Sequence, residues 1–123
     1  RKGVLLLVHM SHKGATEGYG QTVVDLKTGQ ARPQFEVFAE RALQWQADGA
    51  IVGATFIDII SKAHAILGRE VPILSPGVGV QGGSLRDALN AGAKYVIVGR
   101  SIYESEDPAQ SAEDLRATVT ASG

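Results

Sequence analysis

Residues Ile73 to Tyr103 contain two apolar runs, each predicted to form a strand and each followed by glycine. The sequence reads Ile73-Leu-Ser-Pro-Gly-Val-Gly-Val-Gln-Gly-Gly83 and, after a short helical segment, Tyr95-Val-Ile-Val-Gly-Arg-Ser-Ile-Tyr103. Glycines leave backbone N–H groups accessible and permit positive φ, and a helix predicted to begin at Ser84 adds its positive end. The two strand ends are therefore expected to converge on a phosphate-sized anion site.

Over the whole chain we predict four strands near residues 3–9, 50–54, 72–75 and 95–99, each followed by a helix. In (β/α)8 barrels the phosphate site is frequently built from the loops after the last two strands. The pattern therefore predicts an α/β fold in which four βα units form the C-terminal half of a TIM (β/α)8 barrel. Because such a barrel has about 250 residues, we expect the 123 residues, which begin with Arg and not Met, to be a fragment that forms a single half-barrel unit.

The segments between the strands give more detailed expectations. Residues 14–33 are expected to form one long loop, a length that is uncommon in compact domains and often functional. Apolar residues at helical spacing predict a helix over 34–47, with Trp45 in the core, and a second amphipathic helix over 56–67. His64 lies on the polar face of that second helix and is expected to be exposed.

Composition excludes several classes of function. The chain has 12 basic and 13 acidic residues, a net charge of −1, and no concentrated basic stripe, so we expect no nucleic-acid partner. It has no cysteine, which excludes disulfides and thiolate chemistry and is compatible with the cytoplasm, the expected location. The first apolar run is too short for a membrane span, so no membrane partner is expected. His9 and His12 have no clustered carboxylates, so we predict no metal.

Three ordered segments, Met10-Ser-His12, Ser75-Pro-Gly-Val-Gly-Val-Gln-Gly-Gly83 and Ile97-Val-Gly-Arg-Ser-Ile-Tyr103, resemble the C-terminal half of the orotidine 5'-monophosphate decarboxylase family, most closely its archaeal form. The resemblance implies that Ser11 hydrogen-bonds the pyrimidine, Pro76 packs on the ring, Gln81 contacts the phosphate, and Gly99 with Arg100 holds the phosphate. It implies no cofactor and a pyrimidine nucleotide 5'-monophosphate as ligand. The complete set of implied substrate-binding positions is Ser11, Pro76, Gly77, Val78, Gly79, Gln81, Gly82, Gly83, Gly99 and Arg100.

The resemblance also implies an absence, because the family's catalytic Asp-x-Lys-x-x-Asp segment lies in the N-terminal half. Asp25-Leu-Lys27 shows its first two elements, but Gln30 stands where the second Asp is needed, and we interpret the match as accidental. This chain alone is therefore predicted to have no decarboxylase activity. The partner that completes it is expected to be the missing half-barrel or a second copy, and a homo-oligomer, such as a dimer, is expected because a bare sheet face exposes apolar surface.

Two alternatives remain open at this point. The chain is either the substrate-binding half of the decarboxylase or a noncatalytic, self-associating half-barrel that binds a phosphate or nucleotide. A further possibility is another phosphate-binding barrel enzyme of the same superfamily, such as a sugar-phosphate aldolase. The Met-Ser strand end and the glutamine in the Gly-rich loop favour the pyrimidine nucleotide.

Overall fold

The computed structural model describes residues 2–79 and 83–121. The elements, in chain order, are β1 (Leu5–His9), α1 (Ala15–Tyr19), β2 (Thr22–Val24), β3 (Ala31–Pro33), α2 (Gln34–Gln44), β4 (Gly49–Val52), α3 (Ile57–Leu67), β5 (Ile73–Pro76), α4 (Leu85–Ala91), β6 (Ala93–Ile97), α5 (Arg100–Tyr103) and α6 (Pro108–Ala121).

The main sheet has four parallel strands in the order β1-β4-β5-β6, so strands that follow one another in the βα units are also neighbours in space. The register pairs Leu6 with Ala50, Ala50 with Ile73, and Leu74 with Tyr95. Each of the four strands begins and ends within two residues of its predicted range. Successive parallel neighbours joined by helices are the arrangement expected of a barrel segment.

One face of this sheet carries the hydrophobic core. Val8, Val52 and Ile73 point to that face and pack with Ile60 and Leu67 of α3, all of them essentially inaccessible to solvent. Helices α2, α3 and α4 contact one another in sequence and cover the face. The amphipathic helices therefore bury their apolar stripes against a single side of the sheet.

The opposite face is bare. Leu5, Tyr95 and Ile97 are about half exposed, at 53%, 50% and 44%. A Cβ placed on Gly49 would lie 2.6 Å from Leu74 Cδ1 and 2.8 Å from Leu5 Cδ2, so these leucine side chains lie over the same face. The burial of residues 3–9 on both faces, which their unbroken apolar sequence indicates, is not achieved within this chain.

Two details of the prediction are wrong. Residues 14–33 are not one loop: they contain α1 and an antiparallel hairpin of β2 and β3, closed by backbone hydrogen bonds between Asp25 and the 29–30 turn. Trp45 is not in the core but 64% exposed, because α2 ends at Gln44 and Trp45 occupies its C-cap. His64 is exposed, as predicted.

The ends of the later helices follow their sequence signals. Ser84 Oγ accepts a hydrogen bond from the N–H of Asp87 at 3.3 Å and caps α4, as expected. Asp107 Oδ1 accepts from the N–H of Gln110 at 3.0 Å and caps α6. None of the helices in residues 2–79 and 83–121 has the length and apolar character that crossing a membrane requires.

Candidate functional site

The candidate site lies at the edge of the sheet where the four parallel strands have their carboxyl ends. Because the strands run in one direction, the segments after β1, β4, β5 and β6 all reach this edge. Ser11, Thr55, Gly77 and Arg100 mark those four segments in spatial order. Sites in parallel α/β folds lie at this edge, because loops after successive strands meet there.

The loop after β5 is folded by its glycines. Gly77 and Gly79 have φ values of 91° and 81°, in the region that side-chain-bearing residues rarely adopt. The N–H of Gly79 donates to Gly83 O at 2.9 Å, and the N–H of Gly83 donates to Gly77 O at 3.1 Å. These bonds close the loop on itself beside the buried side chain of Val78. Gln81 and Gly82 lie outside the described residues, so their predicted contacts remain predictions.

A cavity of about 240 Å³ lies between this loop and the segment after β6. Five of the predicted site residues line it, together with Ile97, Ser101 and Tyr103: they are Pro76, Gly77, Val78, Gly99 and Arg100. Arg100 begins the single helical turn α5 and is exposed, so its guanidinium is accessible to an anion. A Cβ on Gly79 would lie 2.6 Å from Ser101 Oγ, which shows how closely the two segments approach.

Ser11 does not line this cavity, because it follows β1, and β4 and β5 stand between β1 and β6. Three strand spacings of about 4.8 Å separate the two outer strands of a flat sheet, and curvature shortens that distance. The predicted site residues therefore lie in two groups, a Ser11 end after β1 and an Arg100 end after β6.

The Ser11 end is held by residues that the sequence did not single out. The hydroxyl of Thr55 donates to Ser11 O at 2.7 Å, and the N–H of Gly53 donates to His9 O at 2.9 Å. A Cβ on Gly53 would lie 2.4 Å from Ser11 Cα, so only glycine permits this approach. One signal for them exists in the sequence: Ile51-Val-Gly-Ala-Thr55 is a weak repeat of Ile97-Val-Gly-Arg-Ser101, and aligning the two segments matches Gly53 with Gly99 and Thr55 with Ser101.

His9 is fully buried at the end of β1, and its Nδ1 lies 2.8 Å from Met10 O. A carbonyl oxygen only accepts, so Nδ1 carries the proton and donates. Burial lowers the pKa of His9 below its ordinary value of 6.5, because the imidazolium would lose its hydration, and the bond to Met10 only partly opposes this. His9 is therefore neutral near pH 7. The described residues include no group of three or more side chains that are suited to hold a metal ion.

Asp25 and Lys27, the elements of the accidental motif, belong to the turn of the β2–β3 hairpin and not to the parallel sheet. Asp25 Oδ2 lies 2.9 Å from Arg32 Nη2, and Arg32 also pairs with Glu40 of α2. The N–H of Lys27 and the Arg32 guanidinium lower the pKa of Asp25, and Arg32 lowers that of Glu40. A cavity of about 460 Å³ adjoins this network. The network ties the hairpin to α2, which is a structural role.

Comparison with known proteins supplies the family context. Residues 1–115 match the family described as Orotidine 5'-phosphate decarboxylase / HUMPS family. The chain is 39% identical over 112 residues to the orotidine 5'-phosphate decarboxylase of Methanococcoides burtonii, a match that covers 91% of this chain and 46% of that protein. The chain spans about half the length of the curated relatives it matches.

Solved structures give the same correspondence. The orotidine 5'-monophosphate decarboxylase of Methanocaldococcus jannaschii, complexed with the inhibitor BMP, matches with a TM-score of 0.80 and 30% identity over 96% of this chain and 50% of that one. Leishmania donovani UMP synthase matches with a TM-score of 0.84 and 31% identity over 98% of this chain and 28% of that one. The predicted α/β half-barrel fold is thereby confirmed.

Proposed function

The chain belongs to the orotidine 5'-phosphate decarboxylase / HUMPS family, and from this premise we propose that it is the substrate-binding half of an orotidine 5'-phosphate decarboxylase. The complete enzyme would convert orotidine 5'-monophosphate to UMP and CO2, a step of pyrimidine biosynthesis. The proposed location is the cytoplasm, and no cofactor is proposed. The ligand of this half is a pyrimidine nucleotide 5'-monophosphate.

The observation that carries the proposal is the cavity between the segments after β5 and β6. It combines an accessible guanidinium, Arg100, with the backbone of a loop that positive-φ glycines fold. A guanidinium presents donors in a fork that matches phosphate oxygens, and charge-assisted bonds of this kind are the strong ones. Gly77 and Gly99 bring backbone to the wall of the cavity, whereas the N–H groups of Gly79 and Gly83 are used in bonds that fold the loop. We assign the phosphate to this cavity.

The pyrimidine is assigned to the Ser11 end of the same edge. The Ser11 side chain is half-buried on a backbone that Thr55 and Gly53 hold in place, which suits a directional hydrogen bond to a neutral ring. Pro76, which lines the phosphate cavity at the end of β5, offers an apolar surface between the two ends. A nucleotide lying along the edge would place its ring near Ser11 and its phosphate near Arg100.

The reacting carbon needs groups that this sequence does not supply. Loss of CO2 from C6 of the ring leaves negative charge on carbon, and a lysine ammonium with nearby carboxylates would stabilise and then protonate it. The Asp25-Leu-Lys27 segment cannot take this role, because Asp25 is engaged by Arg32 in the hairpin. This half contributes binding energy remote from the broken bond, which holds the ring in place for the other half. The chain alone is proposed to be inactive.

The bare face of the sheet is the surface that a partner would cover. Leu5, Tyr95 and Ile97 expose apolar side chains there, and β1 and β6 leave both sheet edges unpaired in the described sheet. We propose that the N-terminal half-barrel, or a second copy of this chain, packs on this face. An unpaired edge is a template for further strand pairing, so a partner that closes the barrel removes it.

A fusion tests the proposal. The N-terminal half of the Methanococcoides burtonii relative is joined before this chain, and conversion of orotidine 5'-monophosphate to UMP is measured for the fusion, for each half alone and for the relative itself. Turnover by the fusion and none by either half supports the proposal. Turnover by this chain alone, or nucleotide binding without turnover by a well-folded fusion, would contradict it, and the second outcome would favour a noncatalytic binding half-barrel.

A further inference from the structure

The peptide that joins Met10 to Ser11 is held more firmly than its position at a strand end requires. The His9 ring donates to Met10 O, and the Thr55 hydroxyl donates to the next carbonyl, Ser11 O. Gly53 packs against the same peptide, since a Cβ there would lie 2.6 Å from Met10 O. Two successive carbonyls therefore accept side-chain hydrogen bonds, which fixes the plane of each peptide beside Ser11.

The His9 ring lies among three aromatic rings. Its centroid is 5.6 Å from that of Tyr19, 5.9 Å from that of Phe35 and 5.1 Å from that of Phe56. The second ring nitrogen, Nε2, is buried and has no hydrogen-bond partner in the described part of the chain. The ring thus uses one nitrogen, and that nitrogen points at the backbone of the Ser11 end.

Packing alone gives no reason for a histidine at this position. An aromatic hydrocarbon side chain would fill the space among three rings without leaving a buried nitrogen unsatisfied, and an unsatisfied buried polar atom is destabilising. What a histidine adds over phenylalanine is the Nδ1–H bond to Met10 O. The role of the ring must therefore be sought in that bond.

We propose that His9 is a positioning residue for pyrimidine binding: His9 fixes the peptide before Ser11 and Thr55 fixes the peptide after it, so that the Ser11 hydroxyl faces the ring of the nucleotide. The inference rests on the proposed function, because it takes Ser11 as the pyrimidine contact. It also extends the site by one buried residue that does not touch the ligand. Affinity for the pyrimidine part of the ligand then depends on the buried hydrogen bond between the His9 ring and Met10 O.

Two substitutions at His9 separate positioning from packing. His9→Phe keeps the aromatic volume and removes the donor, whereas His9→Asn keeps an N–H near the position of Nδ1 and removes ring volume. Both are made in the fusion with the relative's N-terminal half. Unfolding by denaturant measures stability, and calorimetry measures the affinity for UMP, uridine and ribose 5-phosphate.

Positioning predicts that stability and affinity change in opposite ways. His9→Phe is expected to be as stable as the parent yet to bind UMP and uridine about three- to tenfold more weakly, the effect of losing one hydrogen bond. His9→Asn is expected to be less stable yet to keep most of that affinity. Ribose 5-phosphate, which lacks the pyrimidine, should bind equally to all three proteins.

A spectroscopic measurement distinguishes failure of this inference from failure of the proposed function. If the parent fusion binds none of the three probes, the proposed function is wrong, and the amide resonance of Ser11 still reports the Met10 carbonyl bond. That resonance should shift and broaden in His9→Phe and stay close to the parent position in His9→Asn. An unchanged Ser11 resonance in His9→Phe, or affinities that fall in step with stability in both variants, would overturn the positioning role.

Discussion

The two ends of the candidate site differ in how the fold holds them. At the Ser11 end, the carbonyls of three successive residues, His9, Met10 and Ser11, accept hydrogen bonds from Gly53, the His9 ring and Thr55. At the Arg100 end, residues 99 and 100 are exposed, and their carbonyls accept bonds only from the following turn, α5, among the contacts of the described chain. The backbone of the Ser11 end is thus fixed by contacts within the protein, whereas the Arg100 end is exposed.

The difference follows the kind of recognition proposed at each end. A hydrogen bond between a hydroxyl and a neutral ring weakens steeply when its angle or length is wrong, so the backbone beneath it must be fixed. Attraction between a guanidinium and a phosphate dianion acts over a longer distance and tolerates a mobile side chain. The fold therefore holds the backbone at the Ser11 end with buried contacts, because direction matters there, and leaves the charged Arg100 end accessible.

The largest expected effect comes from breaking the Ser11 end at Gly53. Gly53→Ala would place a Cβ 2.4 Å from Ser11 Cα, and backbone must move to accept it. We expect unfolding by urea to show a loss of about 3 kcal/mol, the upper end for overpacking. Gly18→Ala is the control, because nothing lies within 4 Å of a Cβ there, and alanine favours the helix. Equal stability of the two variants would show that the backbone around Gly53 can accommodate a Cβ without loss of stability.

The second effect concerns the Arg100 end. Arg100→Ala should weaken UMP binding to the fusion by about thirtyfold or more, the equivalent of at least about 2 kcal/mol for truncating one partner of a charge pair. The fold should be unaffected, because Arg100 is exposed and lines the cavity. Arg69→Ala, an exposed arginine that precedes β5 at the opposite edge, is the matched control. A loss of stability in Arg100→Ala would indicate a structural role.

The third prediction uses pH to examine the buried ring. The pKa of His9 in the folded chain lies below 6.5. As the pH falls below 6.5, His9 therefore binds a proton more readily in the unfolded chain than in the folded chain. Stability should therefore be full above pH 6.5 and decline below it, by less than about 1.4 kcal/mol per pH unit, the limit for one site. Asp58 and His12 act on the same ring, in opposite directions.

The measurement is denaturant unfolding between pH 7 and pH 5. His9→Phe should remove the decline, while His64→Gln, at an exposed site, should keep it. The carboxylates with lowered pKa values, Asp25, Glu40 and Glu113, titrate at lower pH and stay out of this window. A decline that persists in His9→Phe would assign the acid sensitivity to another group.

The smallest effect is expected at the helix that follows the Gly-rich loop. Ser84→Ala removes the cap of α4 and should cost about 0.5 to 1 kcal/mol, the low end for such caps, because the bond to Asp87 N–H is long at 3.3 Å. Ser84→Asp should restore stability. Thermal unfolding of the three proteins tests this, and a Ser84→Ala variant as stable as the parent would show that the cap is inactive.

Local patterns in the sequence were sufficient for the sheet and for the loops that follow β5 and β6. Unbroken apolar runs predict strands, and glycine after a strand predicts a loop open to a ligand, so residues 73–79 and 95–100 could be interpreted without tertiary information. The hairpin was missed because β2 and β3 have three residues each, too few for a visible alternation. Trp45 was misplaced because apolar periodicity continued one residue beyond the helix end.

The Ser11 end could not be predicted in the same way. Thr55 and Ser11 are 44 residues apart, and no spacing rule connects a hydroxyl after β4 to a carbonyl after β1. His9 was considered only as a metal ligand, because its bond to the adjacent Met10 carbonyl depends on a ring orientation that Tyr19, Phe35 and Phe56 determine. Contacts between strand ends become visible only when the strands are paired.

The most direct test of a site divided into two ends is calorimetry with three probes on two variants of the fusion. Arg100→Ala should weaken UMP and ribose 5-phosphate and leave uridine nearly unchanged. Ser11→Ala should weaken UMP and uridine by about three- to tenfold and leave ribose 5-phosphate unchanged. If each variant weakened the binding of all three probes by the same factor, the two strand ends would not bind separate parts of one nucleotide, and the proposed division of the site would be wrong.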